Sequence, residues 1–214
     1  MDTIVGVLTG DIIESSAIEI GYRGFLLESI YKVAEELSII EPLKIEFFRG
    51  DSFQLVINNP ENAMKVAILL RVGLKSYTPK DCEKPWDARI SLGVGSISYH
   101  ADSVVLSDGE AFQFSGRGLD EMGKRRLIVK TRWSDVNDEL QVSTAFADDV
   151  ISSWSIAQSQ AAFQALLYNT TQKEIANKLQ KSAQNINKLL GAAKINYVKM
   201  FIDRYYNLIS NFLR

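Results

Sequence analysis

The sequence predicts an α+β fold: a ferredoxin-like α/β sandwich over residues 1–148, followed by an all-α tail over residues 149–214. Three observations predict it. Up to residue 131 the periodicities run β-α-β-β-α-β-α-β, a split βαβ pattern with one helix and one strand added. From about residue 149 the strand signal stops and only helical spacing remains. The charge divides nearby: residues 1–154 hold 16 Lys+Arg against 24 Asp+Glu, whereas residues 155–214 hold 8 against 2. A net charge of -2 therefore hides an acidic front and a basic tail.

Each element has its own signal. The apolar run 3–9 stops at Gly10-Asp11 and reads as a buried central strand. Residues 22–38 place Leu26, Ile30, Val33 and Leu37 on one helical face. Strands 44–49 and 53–58 flank Gly50-Asp51-Ser52, a hairpin turn, with Phe53, Leu55 and Ile57 on one side. Pro60 opens a helix over 60–76 whose apolar face is Ala63, Ala67, Leu70 and Leu74. In strand 88–98, Ile90, Leu92 and Val94 face one way and Arg89, Ser91, Gly93 and Gly95 the other. Helix 109–123 and strand 126–131 complete the front, and 132–148 reads either way.

Composition excludes several classes. One cysteine, Cys82, forms no internal disulfide and suits a reducing cytoplasm. One cysteine and one histidine, His100, are too few for a Cys/His zinc site within one chain. A Ser-His-Asp hydrolase would have to use His100, in the unpromising stretch SYHADS. No apolar run approaches the roughly 20 residues of a membrane span. The acidic start MDTIVGVLTGDI is unlike a signal peptide, so the expected location is cytoplasmic.

The tail carries a motif. Thr171, followed three residues later by Glu174, fits a capping box. Ile175, Ala176 and Leu179 face inward from one short helix, and Ile186 and Leu190 from the next, which Ser182 caps. This arrangement resembles the helix-turn-helix of bacterial transcription regulators, which sets its second helix into the major groove. The resemblance implies DNA contacts from Thr171, Gln172 and Lys173 to phosphate, and from Ser182, Gln184, Asn185, Asn187 and Lys188 along the second helix. Gln180 and Lys181 depart from the family's usual Gly and aliphatic residue in the turn. The plain alternative is a helical hairpin. In the last helix Ile195, Val198, Ile202, Tyr205, Ile209 and Phe212 make a heptad-like seam, for packing within the chain or for a homodimer.

Three fragments stand out in the front: VLTGDI (7–12), FFRGDSFQ (47–54) and GEAFQFSGRGL (109–119). Asp11 and Asp51 fall at neighbouring strand ends, where two carboxylates can hold a divalent cation. Each is also ordinary turn chemistry. Read together, these fragments resemble the catalytic domain of class III nucleotidyl cyclases over about the first 130 residues. The resemblance implies Mg²⁺ or Mn²⁺ at Asp11 and Asp51, with nucleotide contacts from Gly10, Ile12 and Gly50, and Gln113 and Arg117 as the catalytic candidates. It also implies an active site formed between two chains. Phe47 replaces the base-reading Lys and Gln113 replaces Asn, departures that weaken the expected activity. Ser115-Gly116-Arg117-Gly118 reads alternatively as a phosphate loop or as helix packing. The pairing of GDIIES with GDSFQ is similar to the SatD family of small bacterial proteins, over nearly the whole chain. The expected function is a dimeric DNA-binding transcription regulator whose front senses a nucleotide with Mg²⁺ or Mn²⁺. The alternative is a nucleotidyl cyclase or related nucleotide-processing enzyme with a dimerising tail. A third reading is a binding module in which both aspartates are only turns.

Overall fold

A nine-residue strand, β1 (Ile4–Ile12), lies at the centre of a six-stranded sheet because it is buried on both faces. The computed structural model describes residues 3–82, 84–99, 104 and 108–214; His100 lies outside them. On one side of β1 lie β3 (Ser52–Ile57) and then β2 (Ile45–Arg49). On the other lies β4 (Ala88–Tyr99), which carries both β5 (Asp108–Gly109) and β6 (Leu127–Thr131). β1 is antiparallel to β3 and β4, and β6 runs parallel to β4. This order and these directions are those of a split βαβ unit with an added crossover, as the element order predicts.

Helices α1 (Ile20–Leu37) and α2 (Ala63–Tyr77) cover one face, their expected apolar residues all buried against Leu8, Phe53, Leu55, Ile90 and Leu92. Helix α3 (Glu110–Glu121) lies on the other face, over the small side of β4. A Cβ at Gly93 would stand 2.1 Å from the Ala111 carbonyl oxygen, so only glycine lets α3 approach. Thr9 and Ser115 close the same contact with a 2.8 Å hydrogen bond between their hydroxyls.

The ambiguous stretch is helix α4 (Ser134–Ser152), with Val136, Leu140, Thr144, Ala147 and Ile151 buried at helical spacing. The expected boundary between 148 and 149 falls inside this helix. Helix α5 (Ile156–Leu167) then packs on the outer side of α2, which is why α2 also buries Ile68, Val72 and Lys75. One apolar core runs from Leu8 in the sheet to Ile209 near the C-terminus, so the helical tail shares its interior with the front.

The last helix, α8 (Ile195–Phe212), spends its seam within the chain. Ile195, Val198, Ile202, Tyr205 and Ile209 are buried, and the Tyr205 hydroxyl donates to the Pro60 carbonyl at 2.9 Å. Phe212, at the end, packs on Trp133. Of the two roles expected for this seam, packing within the chain is the one its buried residues fill. Among the described residues, no helix is long and apolar enough to cross a membrane.

Candidate functional site

The register of the sheet builds a cleft. Asp11 lies directly opposite Arg89 on β4 and opposite Ser52 on β3. Arg89 Nε donates to Asp11 Oδ1 at 2.9 Å, and Arg89 Nη2 donates to the other oxygen, so the guanidinium forks both oxygens. This hydrogen bond, opposed by partial burial and helped by the charge of Asp11, raises the Arg89 pKa further above its usual value. Asp51 sits beside them in the β2–β3 turn. Its carbonyl oxygen accepts the Ile12 N–H at 3.2 Å, and its carboxylate accepts the Ser15 hydroxyl.

Around this row are two contiguous hollows that share Asp11 and Arg89. The first, of about 530 Å³, is polar: Ser15, Ser16 and Asp51 line it with Lys124 and Arg126. The second, of about 490 Å³, brings Phe48 and Leu119 next to Thr9, Gln54 and Asp120. One end is therefore charged and the other offers an aromatic ring, Phe48, that is 38% exposed. Sequence reasoning missed Arg89, Lys124, Arg126 and Phe48. Strand pairing was the signal for Arg89, whose register against Asp11 is invisible until β1 and β4 are aligned.

Not every expected residue joins this cleft. Gly10 is buried on the opposite face, where an added Cβ would meet the Phe53 ring at 2.6 Å, so its smallness serves strand packing. Gly50 occupies the turn at φ 60°, exposed, and Ile12 lines the polar hollow. Gln113 and Arg117 are exposed on α3; Arg117 lines a separate hollow with Arg125, Asn137 and Asp138. Within one chain they do not meet Asp11 and Asp51. Ser115-Gly116-Arg117-Gly118 is helical, inside α3, which removes the phosphate-loop reading. Phe47 stacks between Tyr31 and Phe53 on the core side, away from the cleft.

The resemblance implies a two-ion centre, and the residues can be tested against it. Asp11 and Asp51 do lie together. Both oxygens of Asp11 accept from Arg89, however, and among the described residues no group of three or more Asp, Glu, His or Cys gathers to hold an ion. As placed, this donor set does not fit two divalent ions.

Beneath the cleft is a buried ionic network that the sequence did not announce. Arg71, 0% exposed, forks Asp87 at 3.0 and 2.9 Å and reaches Asp148 at 2.8 Å. Lys75 and Arg126 also meet Asp87, at 3.2 and 3.0 Å. Burial alone would raise the Asp87 pKa; the Arg71 guanidinium and its hydrogen bonds outweigh burial and bring it down to about 2. Asp148 also accepts the Arg126 N–H at 2.8 Å, so α2, α4 and the chain entering β6 are tied at one point. Arg126 belongs both to this network and to the cleft.

In the tail, α6 (Gln172–Lys178) and α7 (Ala183–Ala192) pack on each other and on α5. Thr171 and Glu174 form the expected capping box, and Ser182 caps α7 by accepting the Asn185 N–H. α6 ends in a Schellman turn: Lys181 N–H donates to the Ala176 carbonyl and Gln180 N–H to that of Asn177. Gln180 adopts φ 52°, the left-handed conformation that glycine takes more easily. Ile175, Ala176, Ile186 and Leu190 are buried, while Thr171, Gln172, Lys173, Ser182, Gln184, Asn185, Asn187 and Lys188 are all exposed.

Similar solved structures are nucleotidyl cyclase domains. A bacterial light-regulated adenylyl cyclase is 12% identical, with a TM-score of 0.46 over 60% of this chain and 76% of its own. The non-canonical dimeric guanylyl cyclase domain of a fusion protein from the aquatic fungus Blastocladiella emersonii is 14% identical, with 0.46 over 56% and 74%. A guanylate cyclase domain from Catenaria anguillulae in complex with GTP is 13% identical, with 0.45 over 56% and 73%. No protein-family model and no curated protein matches the sequence.

Proposed function

We propose that this chain is a nucleotide-responsive DNA-binding regulator. The observation that carries the nucleotide half is the cleft, where Lys124 and Arg126 lie at one end, the Phe48 ring at the other, and Arg89 lines both. A nucleoside phosphate has that division: an anionic end suited to guanidinium forks and a planar base suited to stacking on an aromatic ring. The Arg126 link to Asp87 ties the phosphate end to the buried network, and through Asp148 to α4.

The DNA half is supported by α7, a capped helix on a fixed turn with Gln184, Asn185, Asn187 and Lys188 in solvent. Gln and Asn suit bidentate contacts to adenine, and Lys suits guanine or phosphate. The test is fluorescence anisotropy on a randomised duplex pool followed by sequencing of the bound fraction. Exchanging Gln184, Asn185 and Lys188 for Ala should remove sequence preference; preference unchanged by the triple substitution rejects α7 as the reading helix.

A second reading, a nucleotidyl cyclase or related nucleotide-processing enzyme, is favoured by one observation. Gln113 and Arg117 stand exposed on α3, open to a second copy of the chain. This reading needs Mg²⁺ or Mn²⁺ at Asp11 and Asp51, so it needs Arg89 to leave Asp11. Cyclic nucleotide or pyrophosphate released from ATP or GTP, and lost in Asp51→Asn, decides for the enzyme.

A further inference from the structure

The two carboxylates of the cleft already have a cation beside them. The β1–β4 register sets Arg89 directly across from Asp11, so the strand backbone, rather than chance contact of two long side chains, holds the pair. The guanidinium forks both Asp11 oxygens, and the side chains are only 36% and 18% exposed. Asp51 takes a different partner, the Ser15 hydroxyl. We propose that the Arg89 guanidinium is the resident cation of the Asp11–Asp51 pair, standing where a divalent ion would bind and leaving the cleft to receive its anionic ligand without a resident metal. This deepens the nucleotide reading of the same cleft.

The physical reasons concern lone pairs and geometry. A divalent ion must coordinate carboxylate oxygens directly, and Mg²⁺ demands six ligands near 2.0–2.1 Å in octahedral geometry. Asp11 presents both oxygens to a planar fork, the strong arrangement for a guanidinium and a carboxylate, and the fork covers the edge from which an ion would be held. Asp51 alone is one ligand. A metal could enter only by displacing the guanidinium from Asp11, which leaves a second positive charge in the same cleft. The net charge of Asp11, Asp51 and Arg89 is −1, whereas two carboxylates and a divalent ion are neutral. Without an ion, the positive charge open to a phosphate is that of the guanidinium together with Lys124 and Arg126, which line the same hollow.

The experiment uses Mn²⁺ alone, without nucleotide, so it can fail independently of the nucleotide reading. Free Mn²⁺ is counted by electron paramagnetic resonance during titration of the full chain. Wild type should retain no Mn²⁺ in the micromolar range. Arg89→Met should bind Mn²⁺ at least tenfold more tightly, the scale on which second-shell partners change metal affinity. The added substitution Asp11→Asn should abolish that gain. Arg89→Lys, which keeps the charge but loses the fork, is the second variant and should bind Mn²⁺ more tightly than wild type. Micromolar Mn²⁺ binding by wild type, lost in Asp11→Asn, overturns the proposal. So does unchanged Mn²⁺ affinity in a folded Arg89→Met or Arg89→Lys protein, since the guanidinium would then not be what excludes the ion.

Discussion

Asp87 and Arg89 flank Ala88 at the start of one strand, and each belongs to a forked arginine–aspartate pair, yet the two pairs do different work. Arg71–Asp87 is sealed: neither side chain is more than 2% exposed, and Asp148, Ser152, Lys75 and Arg126 are its further partners. Arg89–Asp11 opens on a cleft. The chemistry is the same and the surroundings differ. Removing one partner from a sealed pair strands a charge with no water to receive it, whereas an open pair can exchange partners with solvent or ligand. Burial therefore makes the first pair part of the framework and leaves the second available for binding.

The largest expected effect separates the pairs directly. Arg71→Met should cost about 3–5 kcal/mol of stability, because Asp87 and Asp148 lose the buried guanidinium that joins them. The urea midpoint measures it; a cost below about 1 kcal/mol breaks the contrast.

The next effect is on pH. Asp87 titrates at about 2 when folded, below the unfolded carboxylate, so its stabilisation is fully present above roughly pH 4. It is lost as the pH falls from there toward 2. Wild type should lose stability across that window, on the order of 2 kcal/mol from this group, and Asp87→Asn should show a flatter profile from a lower starting point. Acid titration followed by circular dichroism gives the comparison.

For the open pair, Arg89→Met should change stability by about 1 kcal/mol or less. It should nonetheless weaken nucleotide binding roughly tenfold or more, since a hydrogen bond to a charged group contributes about 1.5–3 kcal/mol. Calorimetry of one nucleotide against both proteins reads the two quantities apart.

The smallest effects lie in the tail. Thr171→Ala removes the side chain that closes the capping box and should cost about 1 kcal/mol. Gln180→Gly relieves a left-handed residue and should stabilise by up to about 1 kcal/mol. Both are read by thermal denaturation, and a destabilising Gln180→Gly would mean that the side chain makes a contact that matters more than its backbone strain.

Much of the fold was legible because its elements are locally consistent. The alternation of Phe53, Leu55 and Ile57 and the helical spacing of Leu26, Ile30, Val33 and Leu37 each repeat a short-range rule. The caps at Thr171 and Ser182 were legible for the same reason. Asp11 and Asp51 were recognisable as neighbours because a split βαβ brings those strand ends together. What was not legible depends on alignment between distant segments. Arg71, Asp87 and Asp148 look like surface charges on their own elements, and only the stacking of α5 on α2 and of α4 beside β6 buries them. Arg89 reads as an outward-facing strand residue until the register sets it against Asp11. The seam of α8 shows that it is amphipathic, but not which surface it covers.

The most direct measurement is a thermal-shift panel of nucleoside mono-, di- and triphosphates and cyclic nucleotides, run first in EDTA and again with Mg²⁺. A ligand at 100-fold its Kd adds about 2.7 kcal/mol of stability. The cleft as described predicts a shift with at least one nucleotide already in EDTA, absent from the Phe48→Ala/Arg89→Met protein. No shift with any nucleotide, with or without Mg²⁺, would contradict a nucleotide site at Arg89 and Phe48.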